Sequence, residues 1–241
     1  MLFAVFSLLL SFLIIAFTKQ WPYDKTFTFD NVKKTFQLRG GTYLSNSLFI
    51  SLFVSLIGTS FAFITAYCTT RVPSKISQIL HLFSITSLAI PGLVLGLSYA
   101  MTFSGSFIYG TTAILITANL MHFFASPYLL IYNSLSKMNE NIENVGKTLG
   151  IGRLRIIFHV VIPQNKATLF EMVSYFFVNS MMTISAVSFL ATTTTKPISL
   201  MINQFEAQMQ LSCAAVISII ILLVNVLIKA IVYFINKKNK A

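Results

Sequence analysis

The sequence predicts an all-helical polytopic membrane protein of six transmembrane helices, and three observations carry that prediction. Of its 241 residues, 56% are hydrophobic and only 10% charged, with a mean hydropathy of +0.79, whereas a soluble domain carries about 25% charged residues. The apolar residues gather in runs close to the ~20 needed to cross a hydrocarbon core about 30 Å thick. The basic residues behind the formal charge of +11 cluster between those runs, so they report topology. The lipid bilayer is the expected partner, and no nucleic acid is.

Six apolar runs qualify or nearly do: residues 2–17, 47–68, 76–103, 111–135, 168–191 and 212–235. The first is short, but it lacks the basic leader and small-x-small site of a cleaved signal peptide, so it reads as an anchor. The missing cytoplasmic N-terminal tail leads us to expect a shortened or split gene. Counting Lys and Arg by side gives 11 against 6, which places both termini in the cytoplasm of a multi-pass plasma-membrane protein. The chain divides into an N-terminal helix with its outer loop (1–45), a five-helix core (46–235) whose inner loop is 136–167, and a basic tail (236–241). The outer loop 18–46 mixes aromatics with charge and reads as a structured cap, with an extended stretch over 25–30. Cys68 and Cys213 fall at opposite ends of their spans and cannot pair.

Chemistry-bearing residues are sparse. Gly146-Lys147-Thr148 ends like a phosphate-binding loop, but the first glycine of that pattern falls on Asn141, so no phosphate cradle forms. No catalytic residue, metal ligand set or cofactor is expected in this chain. His81, His122 and His159 have no carboxylate at helical spacing and read as structural groups. Glu171 is the one acid inside a predicted span, where ionisable groups are functional candidates. Ile90-Pro91-Gly92 and Pro127 interrupt spans 3 and 4, which predicts kinks that line a cavity or serve as packed bends. Asn179, Thr183, Ser185 and Ser188 make span 5 polar on one side, suited to interhelical contact or solute contact. Asn179, Thr183 and Ser185, with Asn119 and His122 of span 4 and with Pro91 and Gly92, form the candidate pathway.

The inner loop carries the most specific signal. It runs from Glu143 and Asn144 through Gly146, Leu149 and Gly150 to Pro163, with Leu154, Ile157, Phe158 and Val161 at spacings of three and four. That is an amphipathic stripe, preceded by a turn at Gly150 where a positive φ is commonly needed. These residues resemble the EAA loop of binding-protein-dependent ABC importer permeases, in which Glu-Ala-Ala, three residues and Gly precede a hydrophobic-Pro pair about a dozen residues on. Aligned on Gly150, the Glu-Ala-Ala positions are Asn144, Val145 and Gly146, with Glu143 one place early. The resemblance extends over about 46–232, through Asn46-Ser47-Leu48 and the run from Ile90 to Leu97. It is similar to the ferric-iron and 2-aminoethylphosphonate branch, and the run from Met182 to Leu190 most resembles the phosphonate permeases.

The resemblance implies a type I importer permease fold and a subunit that alternates access for a small solute, 2-aminoethylphosphonate or ferric iron. It implies a cytoplasmic ATPase dimer that binds ATP and receives the loop, a second permease half, identical or homologous, and an extracytoplasmic solute-binding protein. A membrane scaffold without transport is the alternative from another class. The topology is directly testable: with Cys68 and Cys213 replaced by Ser, Ser136→Cys is expected to react with an impermeant thiol reagent only from the cytoplasm, and Thr28→Cys only from outside. The opposite labelling overturns the assigned orientation.

Overall fold

The computed structural model describes residues 2–72, 74–139 and 141–238, and they fold mostly as helices. Helix α1 (Leu2–Ala16) leads into a two-stranded antiparallel hairpin, β1 (Thr18–Gln20) and β2 (Asp24–Phe27), followed by α2 (Asp30–Gln37). The rings of Phe17, Phe27 and Phe29 close on one another at 5.1–5.7 Å, a spacing that favours stacked and edge-to-face aromatic pairs. Asn31 donates to the Ala16 and Thr18 carbonyls at 3.0 and 2.8 Å, and Ser212 donates to Thr18. The 18–46 segment is therefore structured. Its extended part covers 24–27, and α2 follows where no helix was anticipated.

Helix α3 (Gly40–Arg71) is one unbroken element of 32 residues, about 48 Å long at 1.5 Å per residue. Ser47, Ser51, Ser55, Gly58, Thr59, Ala62 and Ala66 recur along its buried side, and small residues let helix backbones approach closely in a membrane. Against this side packs α11 (Lys166–Met182), whose fully buried Phe176 ring lies 2.8–2.9 Å from where a Gly58 side chain would begin.

Both proline-containing spans are broken. Helix α4 (Lys75–Thr86) starts with a reciprocal cap between Ser74 and Ser77, continues as a 3-10 turn (Ser87–Ala89), and meets α5 (Gly92–Phe103) at 107° across Ile90-Pro91. Helices α6 (Thr112–Phe123) and α7 (Ala125–Ser136) meet at 53°. The second break falls at Phe124, ahead of Pro127, because the proline sits in the first turn of α7 and has no N–H to offer the carbonyl of Phe123. Ser87 Oγ accepts from the Ala125 N–H at 3.2 Å. Such side-chain rescue is what a helix break requires away from water.

Span 5 departs further from expectation. A continuous helix over 168–191 was predicted, but α11 ends at Met182 and Thr183 turns extended with ψ 136. From 183 to 199 the chain is irregular yet internal, with Ala186, Val187, Leu190 and Ile198 buried. Thr183, Ser185 and the threonines at 192–195 are poor helix formers whose hydroxyls compete for backbone groups. Ser199 Oγ bonds the Thr183 carbonyl at 2.6 Å, Asn46 Nδ2 bonds the Thr194 carbonyl at 2.8 Å, and Ser47 Oγ accepts from Ile198 N–H at 2.7 Å. Helices α12 (Leu200–Ala207) and α13 (Leu211–Lys238) complete the chain. Helix α13 runs through 236–238, the start of the predicted tail, and residues 239–241 lie outside those described.

Among the described residues, α3 and α13 are long and apolar enough to cross a bilayer, and the α4/α5 and α6/α7 pairs qualify if each bent pair is one span. Helices α1 and α11, at 15 and 17 residues, are shorter than the ~20 a straight crossing needs. The two free cysteines stand apart, Cys68 exposed and Cys213 buried.

The α3–α11 contact leaves no room for a side chain at position 58. Gly58→Leu is expected to overpack Phe176 and destabilise the protein by about 1–3 kcal/mol, read as a lower unfolding midpoint in detergent. Gly41→Ala, whose methyl would meet only Phe36 at 3.7 Å, is expected to leave that midpoint unchanged or raise it. Equal behaviour of the two variants overturns the close-packing account.

Candidate functional sites at the inner loop and the helix breaks

The loop between α7 and α11 is built on a helix stop. Helix α8 (Ile142–Thr148) ends with Leu149 N–H on the Val145 carbonyl and Ile151 N–H on the Gly146 carbonyl, at 3.2 and 2.8 Å, around Gly150 at φ +69. This is a Schellman cap with its six-to-one bond, in which glycine at positive φ carries no Cβ penalty. The chain reverses into α9 (Arg153–Ile156), a π turn (Ile157–Val161) and α10 (Ile162–Gln164). The two arms touch at Gly146, where a methyl group would collide with Ile156 Cδ1.

The π turn divides the predicted apolar stripe. Ile156 and Val161 are buried, and Ile157 is half-buried against the main core, so Ile157 does not belong to the outward face as expected. Leu154 and Phe158 are 71% and 64% exposed, and Leu149 and Val145 join them on the surface. A single outward apolar group of Val145, Leu149, Leu154 and Phe158 remains. Asn144, Gly150 and Pro163 are also exposed. Asn165 pins the base of the loop, accepting from Ser134 Oγ at 2.6 Å and donating to the Val161 carbonyl at 2.8 Å.

Glu143 is the anchor, and its partners were not recognised in the sequence. Its side chain and that of Arg71 are only 9% and 5% exposed, with Arg71 Nε 3.6 Å from Glu143 Oε1, and Tyr67 OH donates to the same oxygen at 3.2 Å. The Arg71 guanidinium also bonds the Leu135, Met138 and Asn139 carbonyls at 3.0–3.3 Å, neutralising the negative end of α7. Glu143 Oε2 is buried without a partner among the described residues. One cation thus ties α3, α7 and α8 together. The available signal was positional: Arg71 is the last residue of a long apolar helix, and the loop offers few acids to pair with it.

At the helix breaks, three of the predicted pathway residues converge. A methyl group at Gly92 would collide with Ser185 Oγ and lie 3.0 Å from the His122 ring, and one at Gly96 would lie 2.6 Å from the Ala186 carbonyl. The start of α5 therefore presses its bare backbone against α6 and the irregular 183–199 segment. His122 Nδ1 is buried without a partner among the described residues, as is Asn119 Oδ1 one turn earlier, although Asn119 Nδ2 bonds the Leu115 carbonyl. Asn179 spends its amide on the Tyr175 carbonyl of its own helix, and Thr183 is buried at the helix end. Pro91 lies exposed at the cap of α5. The other histidines make ordinary contacts: His81 Nδ1 lies 2.6 Å from Tyr128 OH, and His159 Nδ1 lies 3.0 Å from the Arg155 carbonyl.

Residues 58–241 match the family model described as the binding-protein-dependent transport system inner membrane component. The ferric transport system permease protein FbpB of Actinobacillus pleuropneumoniae is 26% identical over 187 residues, covering 75% of this chain and 27% of that protein. The chain thus spans less than a third of that relative's length. The tungstate uptake system permease protein TupB of Peptoclostridium acidaminophilum is 28% identical over 214 residues, covering 79% of this chain and 89% of that protein. A crystal structure of a bacterial ABC transporter involved in the import of the acidic polysaccharide alginate shares the fold, with a TM-score of 0.73 over 98% of this chain and 89% of that one at 16% identity.

The buried ion pair gives a testable asymmetry. Arg71→Met leaves the Glu143 carboxylate buried and uncompensated, and is expected to cost about 3–5 kcal/mol. In Arg71→Met/Glu143→Leu at least half of that loss is expected to return, as read by unfolding midpoints in detergent. A double variant as unstable as the sum of the single variants shows that the pair does not anchor the loop.

Proposed function

The chain belongs to the family of binding-protein-dependent transport system inner membrane components, and on that premise we propose that it is the membrane half of an importer whose inner loop is moved by a separate ATPase. The observation that carries this reading is the loop's construction. Val145, Leu149, Leu154 and Phe158 are held outward on a frame that a buried ion pair ties back to helix α3. An amphipathic helix seats such a group in a partner's hydrophobic groove. ATP is bound and hydrolysed by that partner, an ATPase dimer, and this subunit is not itself an enzyme.

In this mechanism, closure of the ATPase displaces α8 and α9 as a unit. The displacement reaches α3 through Glu143 and Arg71, and α7 through Asn165 and Ser134. Helix α7 is continuous with the break at Phe124, so its tilt opens or closes the contact among Gly92, His122 and Ser185. Those residues, with Pro91, Asn119, Asn179 and Thr183, make up the proposed pathway. This chain contributes six spans with both termini cytoplasmic, and it works with a second half identical or homologous to it and with an extracytoplasmic binding protein that delivers the solute. Nothing observed favours a scaffold without transport.

Ferric iron is the proposed solute, supported by the ferric relative. The 2-aminoethylphosphonate reading rests only on the resemblance of residues 182–190, and the near full-length likeness to a tungstate permease keeps a small oxyanion as the second reading. Calorimetry of the binding protein encoded beside this gene is expected to show ferric iron binding. Binding of 2-aminoethylphosphonate or tungstate in its place overturns the iron assignment.

Gly150→Val forces a β-branched residue to positive φ, and Phe158→Asp places a charge at the centre of the outward group. Each variant is expected to insert and accumulate normally, to lose at least ten-fold in ATPase retention during purification, and to abolish solute-stimulated ATP hydrolysis in vesicles. Unchanged coupling in both variants overturns the docking role of the loop.

A further inference from the structure

Two cavities on the α13 side of the molecule share a wall, and neither is used by the mechanism above. The first, about 610 Å³, opens between α7, α11 and α13 and is lined by Glu171, Ser174, Lys229, Tyr233 and Lys237. The second, about 1110 Å³, lies between α1, α11 and α13 and is walled by apolar side chains such as Phe12, Val178, Leu222 and Val226. Lys229 and Tyr233 line both. A charged cavity and an oily one therefore adjoin along the same stretch of α13.

We infer that this pair of cavities holds one anionic phospholipid of the inner leaflet, with its phosphate at Lys229 and Lys237 and an acyl chain along α13. Two lysines against one carboxylate leave the polar end positive, and neither lysine is in an ion pair among the described residues. Ser174 is fully buried, and its hydroxyl has no partner among the described residues. It lines the same cavity one turn beyond Glu171, where a lipid ester carbonyl would find a donor.

The dimensions match a lipid. Lys229 lies about 27 Å along α13 from Leu211, close to the thickness of a hydrocarbon core, and Lys237 about 12 Å further. The apolar wall from Ser218 to Lys229 measures about 16 Å, one leaflet's depth. Basic pockets between transmembrane helices at the cytoplasmic side favour anionic head groups. Assigning the lipid to the inner leaflet rests on the orientation proposed above, but binding in a micelle does not depend on orientation.

The test is native mass spectrometry of the full chain in detergent, supplied with equal amounts of phosphatidylglycerol and phosphatidylcholine. Phosphatidylglycerol is expected to be retained selectively. Lys229→Gln is expected to weaken retention about five-fold, and Lys229→Gln/Lys237→Gln about 30-fold, the strength of one and two basic side chains near an anionic surface. Val226→Trp, which fills the oily end and leaves both lysines, is expected to weaken it too, and soluble glycerol phosphate is expected not to displace the lipid. Equal retention of both lipids, or retention insensitive to the lysines, overturns the proposal. Displacement by glycerol phosphate shows a free-anion site, and a Val226→Trp effect on association of two chains without a change in lipid retention shows a subunit interface; either also overturns it. Labelling of Ser136→Cys from outside overturns the orientation alone and leaves the micelle result standing.

Discussion

In hydrocarbon a backbone N–H or C=O without a partner costs several kcal/mol, and the architecture of this protein follows from how it meets that demand at three breaks. A helix satisfies its own backbone, so each interruption must borrow a donor or acceptor from elsewhere. Ser87 supplies an acceptor for the Phe124 break. Asn46, Ser47 and Ser199 supply the 183–199 segment. Ser47, Ser87, Ser199 and Asn46 are accordingly placed where the helical backbone fails.

Helix α3 serves both proposed sites because it runs unbroken from the irregular segment to the loop. Its N-terminal part holds the irregular segment through Asn46 and Ser47, its middle receives Phe176 at Gly58, and its C-terminal end grips the loop through Tyr67 and Arg71. A rod about 48 Å long with small residues on the packed side transmits a displacement with little bending. In the proposed mechanism this rod links the loop to the irregular segment, while α7 links the loop to the break at Phe124.

Much of this was legible in the sequence because it is local. Apolar runs marked α3, α13 and the two bent helix pairs, Pro91 marked a break, and Gly150 marked a turn whose backbone requires positive φ. What was not legible depends on pairs distant in the chain. The end of α11 at Met182 reflects a competition between helix and hydroxyl bonding that Ser199 and Asn46 decide from outside the segment. The Arg71–Glu143 tie joins residues on opposite sides of α4 to α7, and charge counting assigns Arg71 only to a side of the membrane. Convergence of Gly92, His122 and Ser185 needs two bends whose angles, 107° and 53°, no periodicity encodes. The even stripe expected over 154–161 failed for a different reason, since spacings of three and four assume a uniform 3.6-residue turn.

That wide turn at Ile157–Val161 has a bearing on how lengths in this region are to be counted. A π turn is an α-helix holding one additional residue, and each residue of an α-helix advances the azimuth by about 100°. The 13 steps from Gly150 to Pro163 therefore include one that changes neither end of the hairpin but resets which side chains look outward. A chain shorter by one residue here would keep its glycine turn and its proline in place while offering a different set of side chains at the tip. Insertions and deletions at this point are a means of changing the outward surface without disturbing the buried tie beneath it.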